Sequence, residues 1–401
     1  MKVLMVNKFL QPRGGAETYM LSLGKQLADI GHEVEYFGMD QPGRCVGNSA
    51  QAYTSNMDFH GGSKLAKLTY PFKTIYSTDA RKKLRKVLEQ FQPDVIHLNN
   101  FNYQLTPSVL VEADAWRRKT GHACRLIYTA HDLQLVCPNH LCFRADIGKT
   151  CTECLDGKGF APCIRHHCIH GSTARSVLGW VESSYWHRRK IYSVLDAIIC
   201  CSAFLKGKLD TDPVLRKKTV TMHNFMTMAP ETAEQKPGYV LYFGRYSEEK
   251  GLSTLLKAFE QLPDIPLVLA GGGPMEEHMT LPSNVRSVGF QKGDALKKLV
   301  AEASFSICPS VCYENCPLSV MESIASGTPV IGARIGGIPE LIEDGKTGLL
   351  FESGNVQELT KQVRRLWDDA ALRASCEAAC RAQHFDTPEE YARKLLTYYA
   401  G

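Results

Sequence analysis

The sequence lacks any apolar run near the roughly 18 residues of a membrane-spanning helix, so we expect no transmembrane segment. The opening run, Met1–Asn7, is too short for a signal peptide. Lys and Arg (47) exceed Asp and Glu (42) by only five, a balance too weak to indicate nucleic-acid binding. Only 19 prolines, with no low-complexity tract or internal repeat, exclude disordered and collagen-like chains. We therefore expect a globular cytoplasmic protein that binds no nucleic acid.

The sequence also lacks the G-x-G-x-x-G fingerprint of dinucleotide binding, which argues against a nicotinamide-dependent enzyme. It has instead a glycine-opened helix start with the residues P-R-G-G-A-E, Pro12–Glu17. Cysteine is not scarce, but fifteen is an odd number, and several lie in apolar runs such as Ile198–Cys201. These cysteines are typical of small core residues in a reducing compartment.

What the sequence does contain is a regular alternation of short apolar runs and longer amphipathic stretches, which is typical of βα units in doubly wound parallel sheets. Twelve strands are predicted, from Val3–Asn7 to Leu349–Phe351, six on each side of residues 227–238. That stretch has two prolines, two glutamates and no apolar periodicity, so we interpret it as a linker. The predicted fold is α/β, with two Rossmann-like domains, residues 1–226 and 239–385, facing each other across a cleft. Ligands of such sheets bind at the carboxyl ends of the strands.

Two acids in the second domain, Glu314 and Glu322, are separated by seven residues. Pro317 suits the first position of a helix and Gly327–Pro329 suits its end, so we predict a helix over about 317–326. Glu314 then lies on the loop before the helix and Glu322 in its second turn. This spacing is too wide for a shared proton and fits contacts along an elongated ligand. Either acid alone would be interpreted as a cap or a solvated side chain.

Two cations, Arg245 and Lys250, follow the first strand of the second domain. We expect them at the carboxyl edge of the sheet, where the predicted helix also begins. The free amides of Leu318, Ser319 and Val320 would point from the positive helix end toward a phosphate. Two cations beside oriented amides can hold a diphosphate without a metal ion.

Together these residues resemble glycosyltransferase family 4, whose members are retaining, nucleotide-sugar-dependent enzymes of the GT-B fold. The resemblance covers nearly the whole chain: the Gly14–Gly15 loop, the sequence Tyr128–Asp132, the pair Arg245 and Lys250, and the family's E-x7-E motif. The last helix of the family crosses back to the first domain, so residues 386–401 are expected to pack there.

The resemblance implies a role for each matched residue. Arg245 and Lys250 grip the donor diphosphate, and Glu322 bonds the ribose hydroxyls. Glu314 contacts the transferred sugar, and His131 lines the sugar pocket, although His131 alone would be interpreted as a core histidine. The implied catalytic residues are Glu314, His131, Arg245 and Lys250. The implied donor-binding residues are Gly14, Gly15, Arg245, Lys250, Phe290, Leu318, Ser319 and Glu322.

The implied reaction is transfer of a sugar, with retention, from a nucleoside-diphosphate sugar to a glycan or lipid-linked acceptor in surface polysaccharide or glycolipid assembly. Arg245 and Lys250 would stabilise the leaving diphosphate, so no divalent metal is expected for this hexosyltransferase. Retention is compatible with a covalent Glu314 intermediate or with same-face attack, and the lack of a companion carboxylate favours the second. The alternatives are a sugar-nucleotide 2-epimerase or hydrolase, and a non-catalytic sugar-nucleotide-binding protein.

Two segments interrupt the alternating pattern. Residues 137–170 contain six cysteines and resemble an insertion of some bacterial family members. The spacings C-x2-C and C-x4-C fit a structural zinc site, but free thiols and disulfides are alternatives. The four candidate ligands are Cys151, Cys154, Cys163 and Cys168. Residues 60–90 contain eight Lys or Arg and two acids, which indicates either a solvated helix face or peripheral contact with anionic lipid at the inner face of the cell membrane.

Overall fold

The structure, a computed structural model, describes residues 1–56, 72–226, 230–233 and 236–401. Contacts divide the chain into two compact units. The first contains Met1–Leu141, Thr152–Thr227 and Thr387–Gly401, and the second contains Cys142–Cys151 and Met228–Asp386. Each unit has a six-stranded parallel sheet, as the alternating pattern predicted.

The sheet of the first unit has the strand order β2-β1-β3-β4-β5-β6. Its inner strands are continuous apolar runs because helices cover both faces of a parallel sheet. The order reverses between β1 and β3, so a crevice opens there at the carboxyl ends of the strands. The strands are β1 (Lys2–Val6), β2 (Glu33–Phe37), β3 (Val95–Leu98), β4 (Arg125–Ala130), β5 (Ala197–Cys200) and β6 (Thr219–Thr221).

Besides the helical residues 72–75 and the last helix, the first unit has six described helices among these strands, with a 3-10 turn at Ile191–Val194. They are α1 (Gly15–Asp29), α2 (Thr78–Phe91), α3 (Ser108–Thr120), α4 (Ala161–Arg165), α5 (Thr173–Arg188) and α6 (Ala203–Leu209).

The sheet of the second unit has the order β9-β8-β7-β10-β11-β12, which is that of dinucleotide-binding domains, and its switch point lies between β7 and β10. The strands are β7 (Val240–Arg245), β8 (Leu267–Gly272), β9 (Val285–Ser287), β10 (Phe305–Cys308), β11 (Val330–Ala333) and β12 (Gly348–Phe351). A 3-10 turn at Glu248–Lys250 precedes the first of six helices. They are α7 (Leu252–Phe259), α8 (Gly293–Glu302), α9 (Leu318–Ala325), α10 (Ile338–Leu341), α11 (Val356–Asp368) and α12 (Ala370–Ala382).

The last helix, α13 (Pro388–Ala400), belongs to the first unit. It begins with a capping box, in which Thr387 accepts a hydrogen bond from the amide of Glu390 and donates its own amide to the Glu390 carboxylate. Its buried face includes Tyr391, Leu395 and Tyr399, which join the same core cluster as β1 and α1.

All twelve predicted strands are present, with ends shifted by one or two residues. A short antiparallel hairpin, Phe143–Arg144 with Lys149–Thr150, was not predicted. Of the predicted linker, residues 227–229 and 234–235 lie outside the described residues, as do Lys64 and Lys67 of the basic segment. None of the helices in the described ranges is long and apolar enough to cross a membrane.

Candidate active site

The candidate donor site lies at the switch point of the second sheet. Strand β7 ends at Arg245 and continues into the turn that carries Lys250, and β10 is followed by the loop that carries Glu314. Loops diverge at such a point because the strand order reverses, and ligands bind in the crevice between them. The fold therefore gathers Arg245, Lys250 and Glu314 at one edge of the sheet.

Lys250 and Glu314 form an ion pair. The Nζ atom of Lys250 lies 2.5 Å from Oε1 of Glu314, which also accepts a hydrogen bond from Ser310 Oγ at 2.6 Å. Burial alone would raise the pKa of Glu314, but the charge and hydrogen bond of Lys250 and the bond from Ser310 outweigh it and lower that pKa. Burial opposes the charge of Lys250 too, and Glu314 raises its pKa. Both groups are therefore charged at neutral pH, and Lys250 keeps 35% of its side chain exposed for a ligand.

Two glycines hold the neighbouring loops against this pair. Gly251 has φ 74°, and a β-carbon there would overlap the carbonyl oxygen of Pro309. Gly336 has φ 62°, and a β-carbon there would overlap the backbone of Glu314, whose carbonyl accepts a hydrogen bond from Gly337 at 2.6 Å. Only glycine fits both the left-handed conformation and the close approach.

Helix α9 begins beside Glu314. The amide of Val320 donates to the carbonyl of Pro317 at 3.2 Å. The amides of Leu318 and Ser319 precede it and have no intrahelical acceptor, because they belong to the first turn. Of the three amides in our prediction, two therefore remain for an anion at the positive end of this helix.

Glu322 lies in the second turn of α9 and is largely buried. Burial raises the pKa of its carboxyl to about 7. Across the described chain it has no ion-pair partner, in contrast to Glu314. Hydroxyl groups that donate hydrogen bonds to a buried carboxylate stabilise its ionised form.

Arg245 and Phe290 are both exposed at the carboxyl edge of the second sheet. Within the described ranges Arg245 makes no ion pair, and its carbonyl accepts a hydrogen bond from the Tyr242 hydroxyl at 2.7 Å. Phe290 follows β9 and is 78% exposed. The guanidinium and the aromatic ring are thus both accessible to a ligand.

In the first unit, His131 follows β4 and Asn99 follows β3. The His131 Nε2 atom lies 2.9 Å from Asn99 Oδ1, and an amide oxygen only accepts, so Nε2 carries the proton. Burial lowers the pKa of His131 to about 3. The imidazole is therefore neutral at pH 7 and offers hydrogen bonds rather than a positive charge.

The glycine loop of the first unit ends at Gly14, and α1 begins at Gly15. Gly14 has an extended backbone, and a β-carbon there would make only an ordinary contact with Glu17. The buried Glu17 carboxylate accepts a hydrogen bond from Asn7 Nδ2 at 3.1 Å. A negative charge therefore already lies at this helix start, which opposes a phosphate there.

Sequence reasoning did not name Ser310 or Asn99. Ser310, the partner of Glu314, follows β10, and Asn99, the partner of His131, follows β3. Their positions just after buried strands are the sequence signal that could have identified them. The structure divides the candidates between the two units, and it brings Lys250 and Glu314 into direct contact. His131, Gly14 and Gly15 belong to the first unit, and Arg245, Lys250, Phe290, Glu314, Leu318, Ser319 and Glu322 belong to the second.

The cysteine segment does not show the predicted ligand geometry. Cys163 is buried, and a hydrogen bond with Cys168, together with burial, raises the pKa of its thiol. Among the described residues, Cys154, Cys163 and Cys168 do not bring three ligand atoms within 4.8 Å of one another. Cys151 groups with the second unit. A structural zinc therefore stays a prediction.

Two family models match the chain, one over most of the first unit and one over most of the second. The chain matches Glycosyltransferase Family 4 over residues 13–228 and Glycosyl transferases group 1 over residues 227–383. Sulfoquinovosyl transferase SQD2 of Arabidopsis thaliana is 32% identical over 164 residues, 39% of this chain and 32% of that protein. The matches span from about a third to three fifths of the length of the first curated relatives.

Two solved structures show the same fold across the chain. Sucrose-phosphate synthase from Thermosynechococcus elongatus has a TM-score of 0.70 and 18% identity, and covers 100% of this chain and 98% of its own. Anabaena HepE, in complex with UDP and glucose, has a TM-score of 0.68 and 18% identity, with 100% of each chain covered. The GT-B fold with two Rossmann-like domains, predicted from the sequence, is confirmed.

The raised pKa of Glu322 gives a prediction about stability. In the unfolded chain the carboxyl ionises near its ordinary pKa, and in the folded chain only near pH 7, so folding loses stability as pH rises between these values. We expect Glu322→Gln to stabilise the ligand-free protein by about 3 kcal/mol at pH 8 and to have little effect at pH 4. Denaturant unfolding at both pH values measures this. Equal stability of variant and parent at pH 8 would show that the carboxyl is not desolvated.

Metal analysis tests the zinc prediction. If residues 137–170 hold a structural zinc, the purified protein contains about one zinc per chain, and Cys163→Ser loses both the metal and thermal stability. The exposed Cys45 lies outside the segment, so Cys45→Ser is the matched control and should keep the zinc. The prediction would be contradicted if the purified parent protein contained no zinc and Cys163→Ser unfolded at the same temperature as the parent.

Proposed function

Because the chain belongs to glycosyltransferase family 4, we propose that it is a retaining, metal-independent glycosyltransferase. It transfers a sugar from a nucleoside-diphosphate sugar to a glycan or lipid-linked acceptor in surface polysaccharide or glycolipid assembly. The single observation that supports this best is the Lys250–Glu314 ion pair beside the start of α9.

The proposed donor lies with its diphosphate on the switch point of the second sheet. Lys250, Arg245 and the amides of Leu318 and Ser319 surround this position with positive charge and oriented donors. Glu322 accepts the ribose hydroxyls, which offset the cost of its ionisation in a buried place. Phe290 contributes an exposed ring beside the base.

Departure of the nucleoside diphosphate increases the negative charge on its terminal phosphate. Lys250 and Arg245 stabilise that charge more strongly in the transition state than in the bound donor. The chain has a D-x-D sequence at Asp210–Asp212, a pattern that binds metal in other nucleotide-sugar enzymes, but both acids have other partners here. Asp210 pairs with Lys206 at 2.5 Å, and Asp212 accepts the amide of Val214 at 2.7 Å.

Retention by same-face attack is the mechanism that we propose over a covalent intermediate. Oε1 of Glu314 already accepts hydrogen bonds from both Lys250 and Ser310. Two strong donors on one oxygen lower its nucleophilicity. The leaving phosphate then takes the proton of the acceptor hydroxyl, while Glu314 and the neutral His131 bind the sugar.

Contact with anionic lipid is proposed for three lysines of α2, of which Lys82 and Lys86 are exposed and Lys83 is half-buried. Arg81 and Arg85 both donate to the buried carboxylate of Glu112, at 2.9 and 2.6 Å, so their charges are partly compensated within the protein. Lys82, Lys83 and Lys86 make no ion pair in the described part of the chain and leave three cations for headgroups.

The metal-independent mechanism predicts that a chelator leaves turnover unchanged. We expect Lys250→Ala to lower kcat about 100-fold, comparable to the loss of one preorganised donor. Glu322→Gln should act mainly on the donor KM, because a ribose contact is made equally in ground and transition states. Nucleotide release from a panel of nucleotide sugars, with and without acceptor, measures all three.

Lys250→Ala leaves the Glu314 carboxyl without its cation, so thermal unfolding of the variant is measured alongside. Turnover that vanishes with chelator and returns with Mg²⁺ or Mn²⁺ would overturn the roles of Arg245 and Lys250. Release that does not depend on an acceptor would indicate a hydrolase, and no release from any donor would indicate a binding protein.

The lipid proposal predicts that the protein sediments with phosphatidylserine vesicles and that the bound fraction falls as salt rises. Each lysine that contacts the surface should contribute about 1 kcal/mol to the binding free energy. A triple variant, Lys82→Gln with Lys83→Gln and Lys86→Gln, should lose this binding and keep its donor KM. The matched control replaces Lys292, Lys297 and Lys298 of the second unit by Gln and removes equal charge. Equal binding to neutral vesicles would exclude an electrostatic contact.

A further inference from the structure

A buried chain of hydrogen bonds connects the last helix with the core of the first unit. The Tyr399 hydroxyl lies 2.5 Å from His97 Nδ1, and His97 Nε2 lies 2.7 Å from Thr129 Oγ1. Thr129 Oγ1 lies 3.1 Å from the Tyr19 hydroxyl, which lies 2.8 Å from the hydroxyl of Tyr391. All five side chains are at most 3% exposed. This network thus links α13, β3, β4 and α1 by direct hydrogen bonds between side chains.

This network is uncharged. Burial lowers the pKa of His97 to about 3, so its imidazole is neutral. Burial raises the pKa of Tyr391 and of Tyr399 well above the ordinary value, so both hydroxyls keep their protons. Each link is therefore a bond between neutral groups, and the loss of one leaves a buried polar atom unsatisfied.

The network ends against the candidate sugar-binding histidine. The rings of Tyr19 and His131 meet edge to face, with centroids 4.8 Å apart at 70°. His131 lies two residues after Thr129, at the end of β4. The imidazole of His131 thus contacts Asn99 through its Nε2 atom and Tyr19 through the ring edge.

Tyr19 is in turn oriented from α13. Its hydroxyl bonds Tyr391, and the two rings also meet edge to face at 5.6 Å and 88°. Phe225 packs on both rings, at 5.3 Å from Tyr19 and 4.9 Å from Tyr391. A tyrosine that is fixed at its hydroxyl and at its face has one ring position, and that ring bounds one side of the space that His131 occupies.

We propose that Tyr391 and Tyr19 are positioning residues for His131, so that the last helix sets the geometry of the sugar-binding imidazole. This inference rests on the proposed function, which gives His131 a contact with the sugar. It extends that function because α13 then influences catalysis through the position of His131. Tyr391 does not touch the reacting atoms and acts through Tyr19.

The test is a double-mutant cycle on the full chain. Tyr391→Phe removes one hydroxyl and keeps the ring, and we expect kcat to fall about 10-fold with donor KM unchanged, since small misplacements of a binding group are costly. In a His131→Ala background the same substitution should have no further effect on kcat. Equal effects in both backgrounds would overturn the proposal, because Tyr391 would then act independently of His131.

Tyr398→Phe is the matched control. Tyr398 lies on the same helix and packs on the same core cluster, but its hydroxyl makes no hydrogen bond within the described residues. This variant should keep the parental kcat. A loss equal to that of Tyr391→Phe would mean that any hydroxyl on α13 matters, and would overturn the assigned path.

NMR gives a readout that does not depend on transfer. The imidazole resonances of His131, assigned by their absence in His131→Ala, feel the ring current of Tyr19 and should shift in Tyr391→Phe but not in Tyr398→Phe. Unchanged resonances in Tyr391→Phe would overturn the positioning role. If the parent protein transfers no sugar, the proposed function fails, and the NMR comparison still decides whether Tyr391 orients His131.

Discussion

The arrangement of the second unit depends on the burial of one negative charge, that of Glu314. A buried carboxylate is stable only with a close cation and further donors, and Lys250 and Ser310 provide them. Each partner follows a different strand, so the ion pair joins the loops after β7 and β10. The two glycines then allow the flanking backbone to approach, and any side chain at Gly251 or Gly336 would separate the partners.

Glu314 and Glu322 lie eight positions apart and are in opposite electrostatic conditions. Lys250 keeps Glu314 ionised, whereas burial without a cation raises the pKa of Glu322 to about 7. Such a difference in ionisation is consistent with the different roles that the proposed function gives the two carboxyl groups. Ionisation of the buried Glu322 carboxyl lowers the stability of the folded protein, and a ligand whose hydroxyl groups donate to the carboxylate would restore it. Binding residues commonly lower the stability of the ligand-free protein in this way.

The hydrogen-bond network between the last helix and the core of the first unit consists of neutral groups instead. Burial keeps His131 and His97 uncharged, and both are held by hydrogen bonds and ring contacts. Neutral hydrogen bonds are directional and insensitive to salt, so they fix a ring position without attracting ions.

The sequence by itself determined the number, order and type of the strands, because parallel strands buried on both faces appear as continuous apolar runs between amphipathic helices. It also placed Arg245 and Lys250 after a strand, Glu314 on the loop before a helix, and Glu322 in the second turn of that helix. It could not give the pairing of Lys250 with Glu314, since 64 positions separate them and only the strand order brings their loops together. The same holds for Tyr19 and Tyr391, 372 positions apart, and for the ionisation of Glu322. Contacts and desolvation depend on distances in space, which local sequence patterns do not contain, so the tertiary structure alone decided them.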